Sequence, residues 1–217
     1  MAIRYFCIEL GGAPIAANDD WGQAPNATNI SATGLVVGAF PLPAGSRDSA
    51  WMSPVSAGGY TVHVAGANGA TGVALMEAYD AGGAVAARLA NVSARSAVGT
   101  GDGVLIAGFF VNENPCTVLV RGVGPGLAPF NVAGRLGDPR LQIFRDTQLV
   151  TENNDWSGSA NAGVIISTAQ AVGAFALSNG STDAALLVTL PPGAYTAQVS
   201  GVNGGTGVAL VEVYEVP

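Results

Sequence analysis

The most legible pattern in the chain is an alternation of apolar and polar positions. In YTAQVSG (195–201), Tyr195, Ala197 and Val199 fall on one side of an extended chain and Thr196, Gln198 and Ser200 on the other. That period of two predicts a strand with one buried face. VALVEVY (208–214) is apolar at every position except Glu212, as expected of a central strand covered on both faces. AALLVTLPPGAYTAQV (184–199) reads as strand, Pro-Gly turn, strand. Upstream, GVLIAGFFVNENPCTVLVRGVGPG (103–126) sets two apolar runs around an Asn-Pro turn and predicts a β-hairpin over 103–121. The pieces recur at spacings of roughly ten residues, and helix-period stretches longer than a few turns are absent. The fold class that follows is all-β, a jelly-roll-like β-sandwich.

Sliding the chain against itself shows that the pattern occurs twice. Trp21, Phe40, Tyr60 and Tyr79 recur 135 positions later as Trp156, Phe175, Tyr195 and Tyr214. The match runs without a gap from 18–80 onto 153–215, with 30 of 63 positions identical. Identity at that level over that length makes an internal duplication the reading. The copies differ in what precedes them. The second follows a segment of about 70 residues (81–152) that includes the predicted hairpin, whereas the first has only IRYFCIELGGAPIAA in front of it. The expected organisation is a truncated repeat over 1–84 and a complete one over 85–217, the latter made of the hairpin 103–121 and a part spanning 139–217. The two could also pack as one unit. The missing front suggests an excerpt of a longer repeat array, or a gene whose start falls inside a repeat. It also leaves a strand edge, which invites cover from the other half, from the extra N-terminal strand, or from a second molecule as a homodimer.

The order LQIFRDTQLVTENNDW … DAALLVTLPPGAYTAQVSGVNGGTGVALVEVY resembles the pre-peptidase C-terminal type of β-sandwich. The resemblance covers about 75 residues in each copy and none of the segment around 93–127; that segment is similar to repeats of large predicted surface proteins of environmental bacteria. It implies a secreted or cell-surface accessory module, in some members associated with calcium or polymeric substrates. An extracellular or cell-surface location is therefore expected. The opening MAIRYFCIEL lacks a basic region followed by an uninterrupted apolar run, so no export signal is read there.

Composition narrows the chemistry. The net charge is −7 and every basic residue is Arg; an acidic, Lys-free chain offers no basic footprint for nucleic acid and no lysine for Schiff-base catalysis. No apolar run is long enough for a membrane span. Cys7 and Cys116 are the only cysteines and read as small apolar residues; the alternative, a disulfide between them, needs an oxidising compartment and the right geometry. His63 is the only histidine and lies on the polar face of its strand, so the complete repeat has no Ser-His-Asp or Cys-His machinery. GTGDG (99–103) and GVGPG (122–126) fit no phosphate-binding loop and read as turns or close strand approaches.

Three features carry candidate chemistry. Asn18, Asp19 and Asp20, and their counterparts Asn153, Asn154 and Asp155, set oxygen-bearing side chains at a strand end. Calcium takes six to eight such hard ligands; the alternative is that Asn and Asp cap their own backbone in turns. Asp48 and Asp183, matched at the same offset, could add ligands from a neighbouring loop. Glu77 and Glu212 stand in otherwise apolar strands, where a carboxylate must be paired or protonated; Arg121 or another Arg of the middle segment is a candidate partner. Trp21 and Trp156 read as anchors of the loop to the core, or as stacking surfaces for a sugar. The leading expectation is a non-catalytic, calcium-associated module for adhesion, substrate targeting or repeat assembly, with a polysaccharide or protein surface as ligand. The rival is a small metal-dependent hydrolase of lactones or esters, with a cation on Asp20 or Asp155 and Asp48, Glu77, Asp183 or Glu212 as base.

Overall fold

The computed structural model describes residues 5–82 and 89–217. Chain contacts divide it into two units, Met1–Arg88 and Leu89–Pro217. The boundary expected after residue 84 lies outside the described residues.

In the second unit the alternating stretches form two four-stranded antiparallel sheets. One joins β5 (Leu105–Val111), β10 (Gly193–Gly201), β7 (Pro139–Arg145) and β8 (Gln148–Asn153) in that order. The other joins β4 (Asn91–Val98), β11 (Gly207–Glu215), β6 (Cys116–Val123) and β9 (Ala184–Leu190). Their inward residues form one apolar cluster: Leu141, Ile143, Ala197 and Val199 from the first sheet meet Val118, Val120, Ala209 and Val211 from the second. This is the all-β sandwich expected from the period of two.

The 103–121 expectation needs correction in one respect. Both strands exist, but β5 pairs with β10 while β6 pairs with β9 and β11. The connection over 112–115 therefore carries the chain from one sheet to the other, and the strands do not form a hairpin. Apolar periodicity specifies a strand's faces but not its partner.

Two ten-residue helices, α1 (Ala27–Val36) and α2 (Ala162–Ala171), were not expected. Each ends in the repeated VGAF, where Gly38 and Gly173 take left-handed φ of 79° and 75°. Ala39 N–H then reaches back to Gly34 O at 2.9 Å, and Ala174 N–H to Ala169 O at 2.8 Å. Those bonds satisfy carbonyls that a helix end otherwise leaves bare. In the second unit, α2 lays Ile165 and Ala169 on the outer face of the β6 sheet, in a second cluster with Leu119, Trp156, Ala185 and Tyr214. The sheet is thus covered on both faces, as the apolar run of β11 requires.

The first unit keeps one sheet of the two. β2 (Ala13–Asn18), β1 (Tyr5–Leu10) and β3 (Tyr60–Ala65) pair in that order, matching β8, β7 and β10 at offset 135. Residues 49–55 and 72–80, the counterparts of β9 and β11, form no strand. The reason is topological. In the complete unit β9 pairs with β6, and β11 lies between β4 and β6. Among the described residues of the first unit, no strand pairs with 49–55 or 72–80 to offer them such a ladder. Among the described residues of the first unit, only Phe6 and Ile8 are buried apolar side chains.

Candidate functional site

The Asn-Asp clusters sit where β2 and β8 end and short 3-10 turns, Trp21–Gln23 and Trp156–Gly158, begin. Asn153 works as a clamp. Its Oδ1 accepts the Ala185 N–H at 3.0 Å, and its Nδ2 donates to Ser159 Oγ at 3.1 Å. Asn18 does the same to the Ala50 N–H at 3.0 Å. The next link is also duplicated: Trp156 N–H meets Asp183 O at 3.0 Å, and Trp21 N–H meets Asp48 O at 2.8 Å. Trp156 Nε1 donates to Ser181 Oγ at 3.1 Å and Trp21 Nε1 to Ser46 Oγ at 3.2 Å. Trp156 is 2% exposed, so its indole anchors the loop, and no face is left for a sugar.

Asp183 is fully buried. Its Oδ1 accepts the amides of Gly124 at 2.8 Å and Gly126 at 3.0 Å, while Ser181 Oγ donates to Oδ2 at 2.7 Å. Glycine is required on this loop by space. A Cβ at Gly124 would lie 2.1 Å from Leu136 O, and one at Gly126 would lie 3.1 Å from Asp183 Oδ2. GVGPG is therefore a close approach of backbone to a buried carboxylate.

Glu212 meets the partner expected for it. It stands directly across the ladder from Arg121, whose Nε donates to Oε2 at 2.8 Å and whose Nη2 makes a second bond to the same oxygen. Both side chains are nearly inaccessible, at 1% and 6%. Arg121 Nη1 also donates to Phe175 O, and the guanidinium lies 4.3 Å from the Phe175 ring centroid. Tyr214 donates its hydroxyl to Glu212 Oε1 at 2.8 Å. Burial, and then its bond to Glu212, holds that hydroxyl well above the ordinary tyrosine range. In the first unit Tyr79 repeats the bond to Glu77 Oε1 at 2.9 Å, but in the open and with no arginine counterpart.

For a cation, the donor set is only partly free. The Asn18 and Asn153 oxygens hold backbone amides, and Asp20 Oδ2 accepts from Gln23 Nε2 at 2.9 Å. Asp19, Asn154 and Asp155 face solvent. Among the described residues no group of three or more His, Cys, Asp or Glu is placed to hold a metal. Asp138, which the sequence reading passed over, has a buried Oδ1 with no hydrogen-bond partner. Its carboxyl is raised above the ordinary aspartate value by burial first and by the charge of Asp155 second. Only the dipeptide Asp138–Pro139 at the start of β7 could have drawn attention to it. Beside the first cluster lies an open depression of about 610 Å³, lined by Asp19, Asp20, Asn26, Trp51 and Met52 among others.

No protein-family model and no curated protein matches the chain. Among solved structures it is similar to the pre-peptidase C-terminal domain of collagenase from Bacillus anthracis, at 11% identity and a TM-score of 0.34, over 57% of this chain and 88% of that one. Among the described residues no helix is long and apolar enough to cross a membrane.

Proposed function

We propose that the chain is a non-catalytic β-sandwich module of a secreted or cell-surface protein, acting by association in adhesion, substrate targeting or repeat assembly. The observation that carries this reading is the engagement of the two repeated carboxylates in the complete unit. Glu212 is held by Arg121 and Tyr214, and Asp183 by Gly124, Gly126 and Ser181. A carboxylate whose lone pairs are filled by buried donors is a poor base for an incoming substrate. A polysaccharide or protein surface would meet the first unit at the depression beside Asp19, Asp20 and Trp51. The direct test is a screen of activated esters and lactones with calcium and with chelator. Inert protein is the expected result; chelator-sensitive turnover lost in both Asp20→Ala and Asp155→Ala overturns the reading.

Calcium association belongs to the same proposal, with Asp138 and Asp155 as its best-supported ligands. A buried carboxylate oxygen without a donor, beside a second carboxylate, is relieved by a cation. The pH dependence has a definite sign. A carboxyl raised by folding contributes stability only below its unfolded pKa, and loses that contribution as pH rises through the folded value. Without metal, Asp138→Asn therefore raises the melting temperature at pH 7, and the gain shrinks as the pH falls toward 4. Millimolar calcium raises the melting temperature of the metal-stripped parent but not of Asp138→Asn. Identical calcium responses in the two proteins remove Asp138 from the account.

A further inference from the structure

The two sheets of the unit Leu89–Pro217 end in four edge strands, β5 and β8 on one sheet and β4 and β9 on the other. An edge strand exposes a row of unpaired amides and carbonyls, and proteins guard such rows with charge, irregularity or cover. Three of the four edges carry a guard of this kind. β8 holds Glu152, which pairs with Arg140, and its register against β7 slips between Ile143 and Phe144. β4 carries Arg95 in mid-strand. On β9 the Ala185 amide is taken by Asn153 Oδ1. β5 has none of these. LIAGFFV contains no charged residue and no proline, and it pairs with β10 from Leu105 to Val111 without a register shift. Among the described residues no further strand joins its far side. The face it turns outward is apolar and open, with Ile106 50% exposed and Phe110 69%. On the inward face Phe109 stacks on Tyr195 at 5.7 Å, yet is itself only half-buried.

The residue order of β5 is self-complementary about Gly108. A second β5 laid antiparallel about a two-fold axis at Gly108 sets Ile106 across from Phe110 of the second copy on the outer face. On the inner face it sets Ala107 across from Phe109, and Leu105 across from Val111. Every pair is apolar and each face meets its like, which a slip of one residue would forbid. At the axis glycine meets glycine, so no side chain separates the two Ile106–Phe110 pairs that flank it. Such a contact is closed, because both copies use the same patch. We propose that β5 is a self-association strand: two copies of this chain join β5 to β5, antiparallel about Gly108, and merge their four-stranded sheets into one continuous sheet. Strand addition takes affinity from backbone bonds and specificity from alternate side chains. The inference deepens the assembly part of the reading above and rests on that part alone. Calcium and catalysis do not enter, so its failure would leave those results standing.

The test is sedimentation velocity of the full chain from about 1 to 200 μM, with hydrogen exchange at both ends of the range. The expected result is a reversible monomer–dimer equilibrium, with protection gained at 105–111 as the dimer forms. Phe110→Lys weakens the dimer at least about tenfold, because it sets an ammonium against Ile106 of the second copy. Phe110 is exposed in the single chain, so that variant folds as the parent does. Leu149→Lys makes a similar change at an exposed apolar site on β8 and leaves the dimer as it was. Ile106→Glu alone also weakens the dimer, but mixed with Phe110→Lys it restores a heterodimer, since position 106 of one copy faces position 110 of the other. A chain that stays monomeric to 200 μM overturns the proposal. So does a dimer that ignores Phe110→Lys, or one that Leu149→Lys weakens equally. Protection gained elsewhere, or a mixture of the two charged variants that fails to recover, overturns it as well.

Discussion

Arg121→Ala destabilises the unit Leu89–Pro217 by about 3–5 kcal/mol, the range for removing one member of a buried ion pair. A shift of roughly 10 °C or more in melting temperature follows for a unit of this size. The cost arises because Glu212 stays behind, 6% exposed, between β4 and β6, where water cannot replace the guanidinium. Phe175 O loses a donor in the same step. The double variant Arg121→Met/Glu212→Leu should recover most of the loss, because similar apolar volume there removes both charges together. Glu77→Gln in the first unit should change stability by less than about 0.5 kcal/mol, as expected of an exposed site. Thermal and urea unfolding of the four proteins decide the matter. A loss below 1 kcal/mol for Arg121→Ala would show, by the same reasoning, that the pair is not buried in solution.

Trp156→Ala is the second large effect, about 3–5 kcal/mol, the range for deleting a fully buried large aromatic. The indole fills the second cluster against Leu119, Ile165 and Ala185 and leaves Ser181 Oγ without its donor when removed. Trp21→Ala makes the same chemical change at the matched position, yet should cost less than half as much. Trp21 keeps its bond to Ser46 but is only half-buried, so less apolar contact is lost with it. The pair of variants thus reads out burial with the local hydrogen bonds held constant. Equal losses at the two tryptophans would contradict the description of the first unit.

Much of this was legible before any coordinates. Alternation in 195–201 and the apolar run of 208–214 define strand faces, and both faces of β11 are covered as that run requires. Glu212 announced a partner because it is the one charged residue in the apolar run 208–214, and an Arg was the only cation type on offer besides the lone histidine. The register that sets Arg121 directly across from it was not legible, since register depends on pairing between distant segments. The helices were missed for a different reason: ten residues with Gly34 or Gly163 inside them carry little propensity. The one signal was the glycine of VGAF, which takes the left-handed conformation that commonly closes a helix. The Asn-Asp clusters look alike in sequence whether they clamp a loop or hold a cation. Geometry gives Asn18 and Asn153 to the loop and leaves Asp138, unremarkable in sequence, with a buried carboxylate oxygen that no donor reaches.

The deeper lesson lies in 72–80 against 207–215. The two share Gly, Val, Ala, Leu, Glu and Tyr at matched positions, yet only the second is a strand. Strand structure here belongs to the pair and not to the segment, because each extended backbone leaves donors and acceptors that a neighbour must satisfy.

Hydrogen exchange on the full chain tests that claim most directly. Amides of 184–190 and 207–215 should exchange only through opening of the second unit. Those of 49–55 and 72–80 should exchange several orders of magnitude faster, as expected of backbone without ladder bonds. Comparable protection in the matched segments would mean that the first copy has found a partner strand within its own chain, and would contradict the account.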